Sequence, residues 1–145
     1  LYFMFECKYE VTKIAQRTPS QIDEWAKIVA PDEYRHFSNS ASVLKTIYPY
    51  NDARYRGINF QKRNTIEFRI FRGTLDFKRF WATIEFVYSL IPFLEETGFG
   101  FIRRATAFEL WKTYVTYLKR KNTHQTLLAF LKAKQLTTSN DKMLY

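Results

Sequence analysis

The sequence predicts an α+β fold in a single domain: a small antiparallel hairpin or sheet packed against about five or six helices. Three observations carry that expectation. Apolar residues recur at helical spacing through much of the chain, as in Phe3, Cys7, Val11 and Ile14. Two short runs rich in β-branched and aromatic residues, 55–60 and 65–71, are joined by the polar Gln61, Lys62, Arg63 and Asn64. A chain of 145 residues, 46% hydrophobic and 19% aromatic, holds enough material for one core and one domain.

Taken in order, residues 1–17 read as a helix, because no Gly or Pro interrupts the apolar spacing. The chain starts inside that pattern, at Leu1, so an upstream segment is expected. Thr18 then restarts the backbone as an N-cap, with Pro19 at the first helical position and Gln21 as the return partner. This second helix is expected to run from Pro19 to Val29, ahead of Pro31. A short helix over 41–47 and a turn at Pro49, Tyr50, Asn51 and Asp52 lead into the hairpin.

Gly73 closes the hairpin, and Asp76 caps a long helix reaching Glu96, with a bend expected at Pro92. Its stripe of Phe77, Phe80, Trp81, Ile84, Val87, Tyr88 and Ile91 has helical spacing and reads as core. Gly98 and Gly100 are expected to make a loop. Thr106 and Glu109 form a capping box that opens a helix ending near Lys121. Thr123 is the expected cap of a last helix with Leu127, Leu128 and Leu131 on its inner face, and fraying is expected from Thr137.

Composition removes several classes of function. Cys7 is the one cysteine and has no internal disulfide partner. His36 and His124 are too few and too isolated for a zinc site. The best apolar run, 80–94, is interrupted by Glu85 and Pro92 and falls short of the roughly 18–20 residues that cross a bilayer. The apolar start lacks a basic leader region, so a cytoplasmic protein without membrane attachment is expected. Ser38, Ser40 and Ser42 near His36 lack a strand–turn–helix elbow and read as loop serines. The net charge is +9, with 12 basic and 8 acidic groups in residues 1–75 and 11 and 6 in residues 76–145. Such a field is compatible with polyanionic partners and equally with a Lys-rich, solvated surface.

Strand side chains alternate between two faces. Ile66, Phe68 and Ile70 therefore share the expected core face, and Glu67 and Arg69 project together from the other. A register that sets Asn59 beside Glu67 would group a carboxylate, a guanidinium and an amide over Gly57. Such a trio suits a metal ion and an anionic ligand, but on periodicity alone a surface ion pair contributing little is the commoner reading. Arg54, Arg56 and Arg72 near the strand ends add possible phosphate forks.

The residues that carry this hairpin also carry a resemblance. Asn51 to Asn59 reads Asn-Asp-Ala-Arg-Tyr-Arg-Gly-Ile-Asn, and Thr65 to Leu75 reads Thr-Ile-Glu-Phe-Arg-Ile-Phe-Arg-Gly-Thr-Leu. The pair resembles the Arg-Tyr…Asn block and the Thr-(Val/Ile)-Glu-Phe-Arg-(hydrophobic)-Phe-x-Gly-Thr-Leu block of phage- and plasmid-type amidoligases. The start of the chain, the Gln16-Arg17-Thr18 step and Trp25-Ala26 are similar to members from phages and mobile elements. The resemblance implies kinship with the glutamine synthetase and glutamate–cysteine ligase superfamily, ATP-dependent carboxylate–amine ligases that work through an acyl-phosphate. It implies Glu67 as a Mg²⁺ ligand, Arg69 as the catalytic residue holding a substrate carboxylate, Arg54, Arg56 and Arg72 on ATP phosphates, and Asn59 lining the groove. The family's Gly-x-Glu-x-Glu, Asp-Gly-Ser and Gly-x-His-x-His segments do not occur in these residues.

Two classes of function follow. In the first, the chain is the C-terminal part of an amidoligase-like ligase, catalytically incomplete alone, using ATP and Mg²⁺ once an N-terminal amidoligase segment completes the site. In the second, the half-domain is a basic phage or mobile-element module, such as an inhibitor that clamps a host CRISPR or restriction nuclease complex or nucleic acid. Its polyanion contacts would be Arg54, Arg56, Lys62 and Arg63.

Overall fold

A computed structural model describes residues 2–28, 55–59 and 64–137. Seven helices and one two-stranded antiparallel sheet lie among them, an α+β fold. The helix expected over 41–47 and the turn at 49–52 lie outside the described residues. The chain divides into two compact units, residues 1–72 and 73–145.

The first unit holds α1 (Tyr2–Glu6), α2 (Lys8–Ala15), α3 (Pro19–Trp25), β1 (Ile58–Asn59) and β2 (Glu67–Phe68). The expected first helix is divided at Cys7, yet hydrogen bonds from Cys7 N to Phe3 O and from Val11 N to Cys7 O, both 2.9 Å, carry the turn across. The periodicity was thus faithful to the buried face: Phe3, Met4, Cys7, Val11, Ile14 and Ala15 are all interior. The capping box of α3 forms in both directions, Gln21 N donating to Thr18 Oγ1 at 3.3 Å and Thr18 N to Gln21 Oε1 at 3.1 Å. That helix stops at Trp25, short of the expected Val29, because the backbone leaves to pair with the hairpin. Lys27 N donates to Tyr55 O at 2.7 Å, and Gly57 N to Lys27 O at 3.1 Å, a parallel bridge.

The strands are shorter than the β-rich runs. Ile58 pairs with Phe68 and Asn59 with Glu67, and one further bond runs from Arg69 N to Gly57 O at 2.8 Å. Ile58 and Ile70 are buried and Phe68 half-buried, but Ile66 is exposed. The expectation for Ile66 fails: it stands one residue before β2, outside the ladder, whereas Ile70 beyond β2 is buried. There Arg17 binds the chain after β2, its Nε donating to Ile70 O at 2.9 Å and Nη2 to Phe71 O at 3.3 Å. Arg72 N in turn donates to Ala15 O at 2.9 Å.

The second unit holds α4 (Phe77–Thr97), α5 (Phe99–Arg104), α6 (Ala107–Lys121) and α7 (Gln125–Ala133). Asp76 caps α4 through a 2.9 Å bond from Arg79 N. The helix passes through Pro92, whose missing N–H costs it one backbone bond. Only Gly98 breaks the chain, at φ +78, a conformation that L side chains rarely adopt. Gly100, expected in a loop, lies inside α5. Thr106 and Glu109 form the expected capping box of α6.

The core of this unit joins Ala82, Phe86, Leu90 and Phe93 of α4 to Leu110, Tyr114 and Leu118 of α6 and to Leu127 and Leu131 of α7. Each large side chain so buried contributes about 1.5–3 kcal/mol. Phe86 and Phe93 meet the Tyr114 ring edge-on, with centroids 5.9 and 5.0 Å away. Its hydroxyl lies 2.7 Å from Ser89 Oγ, and Trp111 Nε1 donates to Leu136 O at 2.8 Å, so these buried polar atoms are paired.

Two expectations are overturned here. The stripe read as the core of α4 is its exposed side: Phe77, Phe80, Trp81, Ile84, Tyr88 and Ile91 all face solvent, and Val87 is half-buried. The helix is apolar on two sides, and the second side, which also carries Ser89 for Tyr114, packs inward. Nor is Thr123 the cap of α7. His124 occupies the N-cap without a side-chain bond, and Glu85 of α4 accepts from Leu127 N at 2.7 Å instead.

Candidate functional site

The hairpin of the first unit places three polar side chains side by side. The pairing of Asn59 with Glu67 sets an amide across the strand from a carboxylate, and Arg69 follows on the same face two residues later. Asn59 is buried, and its Nδ2 donates to Glu67 Oε2 at 3.1 Å. Arg69 Nε lies 2.9 Å from the other oxygen, Oε1. One carboxylate is thus gripped on both oxygens, by a neutral donor on one side and a cation on the other. With 41% of the Glu67 side chain and 32% of Arg69 exposed, water screens the pair, and its contribution to stability is about 0–1 kcal/mol. The geometry orders the two groups more than it stabilises the fold.

At Gly57 the backbone is closely approached: a Cβ there would lie 2.8 Å from the Ala26 carbonyl oxygen and 3.5 Å from Ile70 Cβ. Glycine is required at this point for backbone approach, as strand glycines often are.

The compared sequences and structures decide nothing about kinship. No known family model, curated protein or solved structure matches the chain significantly.

The remaining candidates divide. Arg56 forms the parallel bridge to Lys27, two residues before β1. Arg72 is exposed beyond β2, held by its backbone to Ala15. Arg54, Lys62 and Arg63 lie outside the described residues. Among the described residues no three His, Cys, Asp or Glu side chains converge as a metal site. Glu67 is engaged at both oxygens, by Asn59 and by Arg69, and Mg²⁺, a hard cation, would take further oxygen ligands beyond this one carboxylate.

Arg17 is the positioning residue that sequence reasoning passed over. Its bonds to Ile70 and Phe71 tie the strand that carries Glu67 and Arg69 to the end of α2. A partner more than fifty residues away leaves no local signal. Cys7 is no candidate nucleophile: burial, reinforced by Glu10 and Glu6, pushes its thiol well above its ordinary value.

Proposed function

We propose that the chain is the C-terminal part of an amidoligase-like, ATP-dependent carboxylate–amine ligase, with Arg69 as the group that takes a substrate carboxylate. The observation that supports this reading is the register of Asn59 on Glu67 with Arg69 beside them. An arginine already paired to a carboxylate is oriented for a second one, and its five N–H donors in a planar fork match carboxylate geometry. Glu67 and Asn59 hold the guanidinium in place. ATP and Mg²⁺ would supply carboxylate activation, with Glu67 as one oxygen ligand and the remaining ligands from a further polypeptide segment.

Two measurements test the proposal. The purified chain, given ATP, Mg²⁺, glutamate and amines, is expected to release no ADP and form no amide. Amide formation abolished by Glu67→Gln would overturn the incompleteness. In ¹⁵N-edited NMR, glutamate is expected to shift the Arg69 side-chain signal and the Glu67 amide, with the shifts lost in Arg69→Ala and weakened in Arg69→Lys. Hairpin signals indifferent to millimolar glutamate would remove Arg69 from that role.

A further inference from the structure

The exposed face of α4 has a pattern of its own. Phe77, Trp81, Ile84, Tyr88 and Ile91 follow one another at steps of four, three, four and three, the repeat that seats one helix against another. Phe77 is 73% exposed, Trp81 43%, Ile84 42%, Tyr88 75% and Ile91 48%, with Phe80 beside them at 49%. Phe77 and Trp81 stack, with centroids 6.1 Å apart and planes 11° apart, so the start of the stripe is already ordered. At about 150–250 Å² for each large aromatic side chain, the exposed parts of the stripe amount to roughly 600 Å². That lies at the upper end of what a monomer leaves open and near the roughly 800 Å² per partner of a stable interface.

The charges select the occupant. Lys78 and Arg79 stand in the first turn of α4 and Glu95 and Glu96 near its end, with no acidic residue in the first turn and no basic residue in the last. This order opposes the dipole of the helix itself. Arg79 has Asp76 at 3.7 Å, and Glu96 takes Arg120 and Lys121. Glu95 continues the four–three spacing as the next position of the stripe, and Lys78 flanks its beginning. Two copies of α4 laid antiparallel bring the basic end of each to the acidic end of the other and oppose their dipoles. A parallel pair would set like charges together.

We infer that the α4 face joins two copies of this chain in an antiparallel, two-fold symmetric pair, with Ile84 and Tyr88 near the axis. Sedimentation equilibrium of the full chain tests this. The wild type is expected to give a reversible dimer. Ile84→Glu and Tyr88→Glu replace exposed side chains, so the fold is retained by circular dichroism. Each is expected to raise the dimer dissociation constant at least about thirtyfold, as loss of a central anchor does. Lys78→Glu or Glu95→Lys alone is expected to weaken the dimer, and the two together to restore it. Ile84→Cys is expected to cross-link with Tyr88→Cys across the axis, whereas Phe77→Cys alone, at the end of the stripe, does not cross-link. A chain that stays monomeric at hundreds of micromolar, its stripe protected by its own residues or free, would overturn the proposal. So would a dimer indifferent to Ile84→Glu, or self-cross-linking of Phe77→Cys alone.

Discussion

A Cβ built on Gly57 would stand 2.8 Å from the Ala26 carbonyl oxygen and 3.5 Å from Ile70 Cβ. The nearer neighbour is backbone, held by the bridge of Lys27 to the hairpin, and does not swing aside as a flexible side chain would. Gly57→Ala is therefore expected to cost about 1–3 kcal/mol, the range for forcing an extra methyl into packed structure. Urea denaturation checks it, and wild-type stability would mean that the bridge yields. Glu10 tests the opposite sign. Burial raises its carboxyl above the usual 4.5, so the fold favours the protonated form. The stability this gives is full below the unfolded value and is lost as pH rises through the folded one. Glu10→Gln is thus expected to melt higher than wild type at neutral pH, the two converging below pH 4.5. At this scale the polar face of the hairpin was legible, because strand alternation put Glu67 and Arg69 together. Arg17 was not, since its carbonyl partners lie at Ile70 and Phe71.

Helix ends show which parts of an element a sequence encodes locally. The boxes at Thr18 and Thr106 were readable because donor and acceptor lie three residues apart. In the second, bonds from the Thr106 backbone and hydroxyl also hold the exposed Glu109 carboxyl below its usual value. The start of α7 was misread at Thr123 because its acceptor, Glu85, lies 42 residues earlier on another helix. Glu85→Ala leaves the Leu127 N–H without that acceptor and is expected to cost about 1–2 kcal/mol. Glu85→Gln keeps an oxygen acceptor and should recover most of the loss in a thermal melt. Equal loss in both would assign the effect to packing or charge instead of the cap. The apolar stripe of α4 was misread for a different reason. Periodicity reports that a face is apolar, and α4 has two such faces; only the fit of Phe86, Ser89 and Phe93 to Tyr114 says which one turns inward.

At the scale of the molecule, no helix among the described residues is long and apolar enough to cross a membrane. The charge of +9 is divided almost evenly along the chain, +4 in residues 1–75 and +5 in residues 76–145. A diffuse excess of charge attracts polyanions without a fixed site, whereas a binding footprint concentrates the attraction, and the two differ in their response to salt. Each neutralised phosphate of a single strand contributes about −0.7 to the slope of log affinity against log salt. If Arg54, Arg56, Lys62 and Arg63 were all phosphate contacts, replacing them with Ala would flatten the slope by nearly three. The ligase reading, in which the charge serves solubility, predicts weak binding of a mixed single-stranded oligonucleotide at low salt. The fourfold variant, still at about +5, should then keep most of that binding, with a smaller change in slope. Fluorescence anisotropy across a salt series measures both quantities. Complete loss of binding in the variant would make the hairpin the footprint and transfer the argument to the polyanion-binding reading. A wild-type affinity that resists salt would contradict both, because neither places a binding site beyond the reach of counterions.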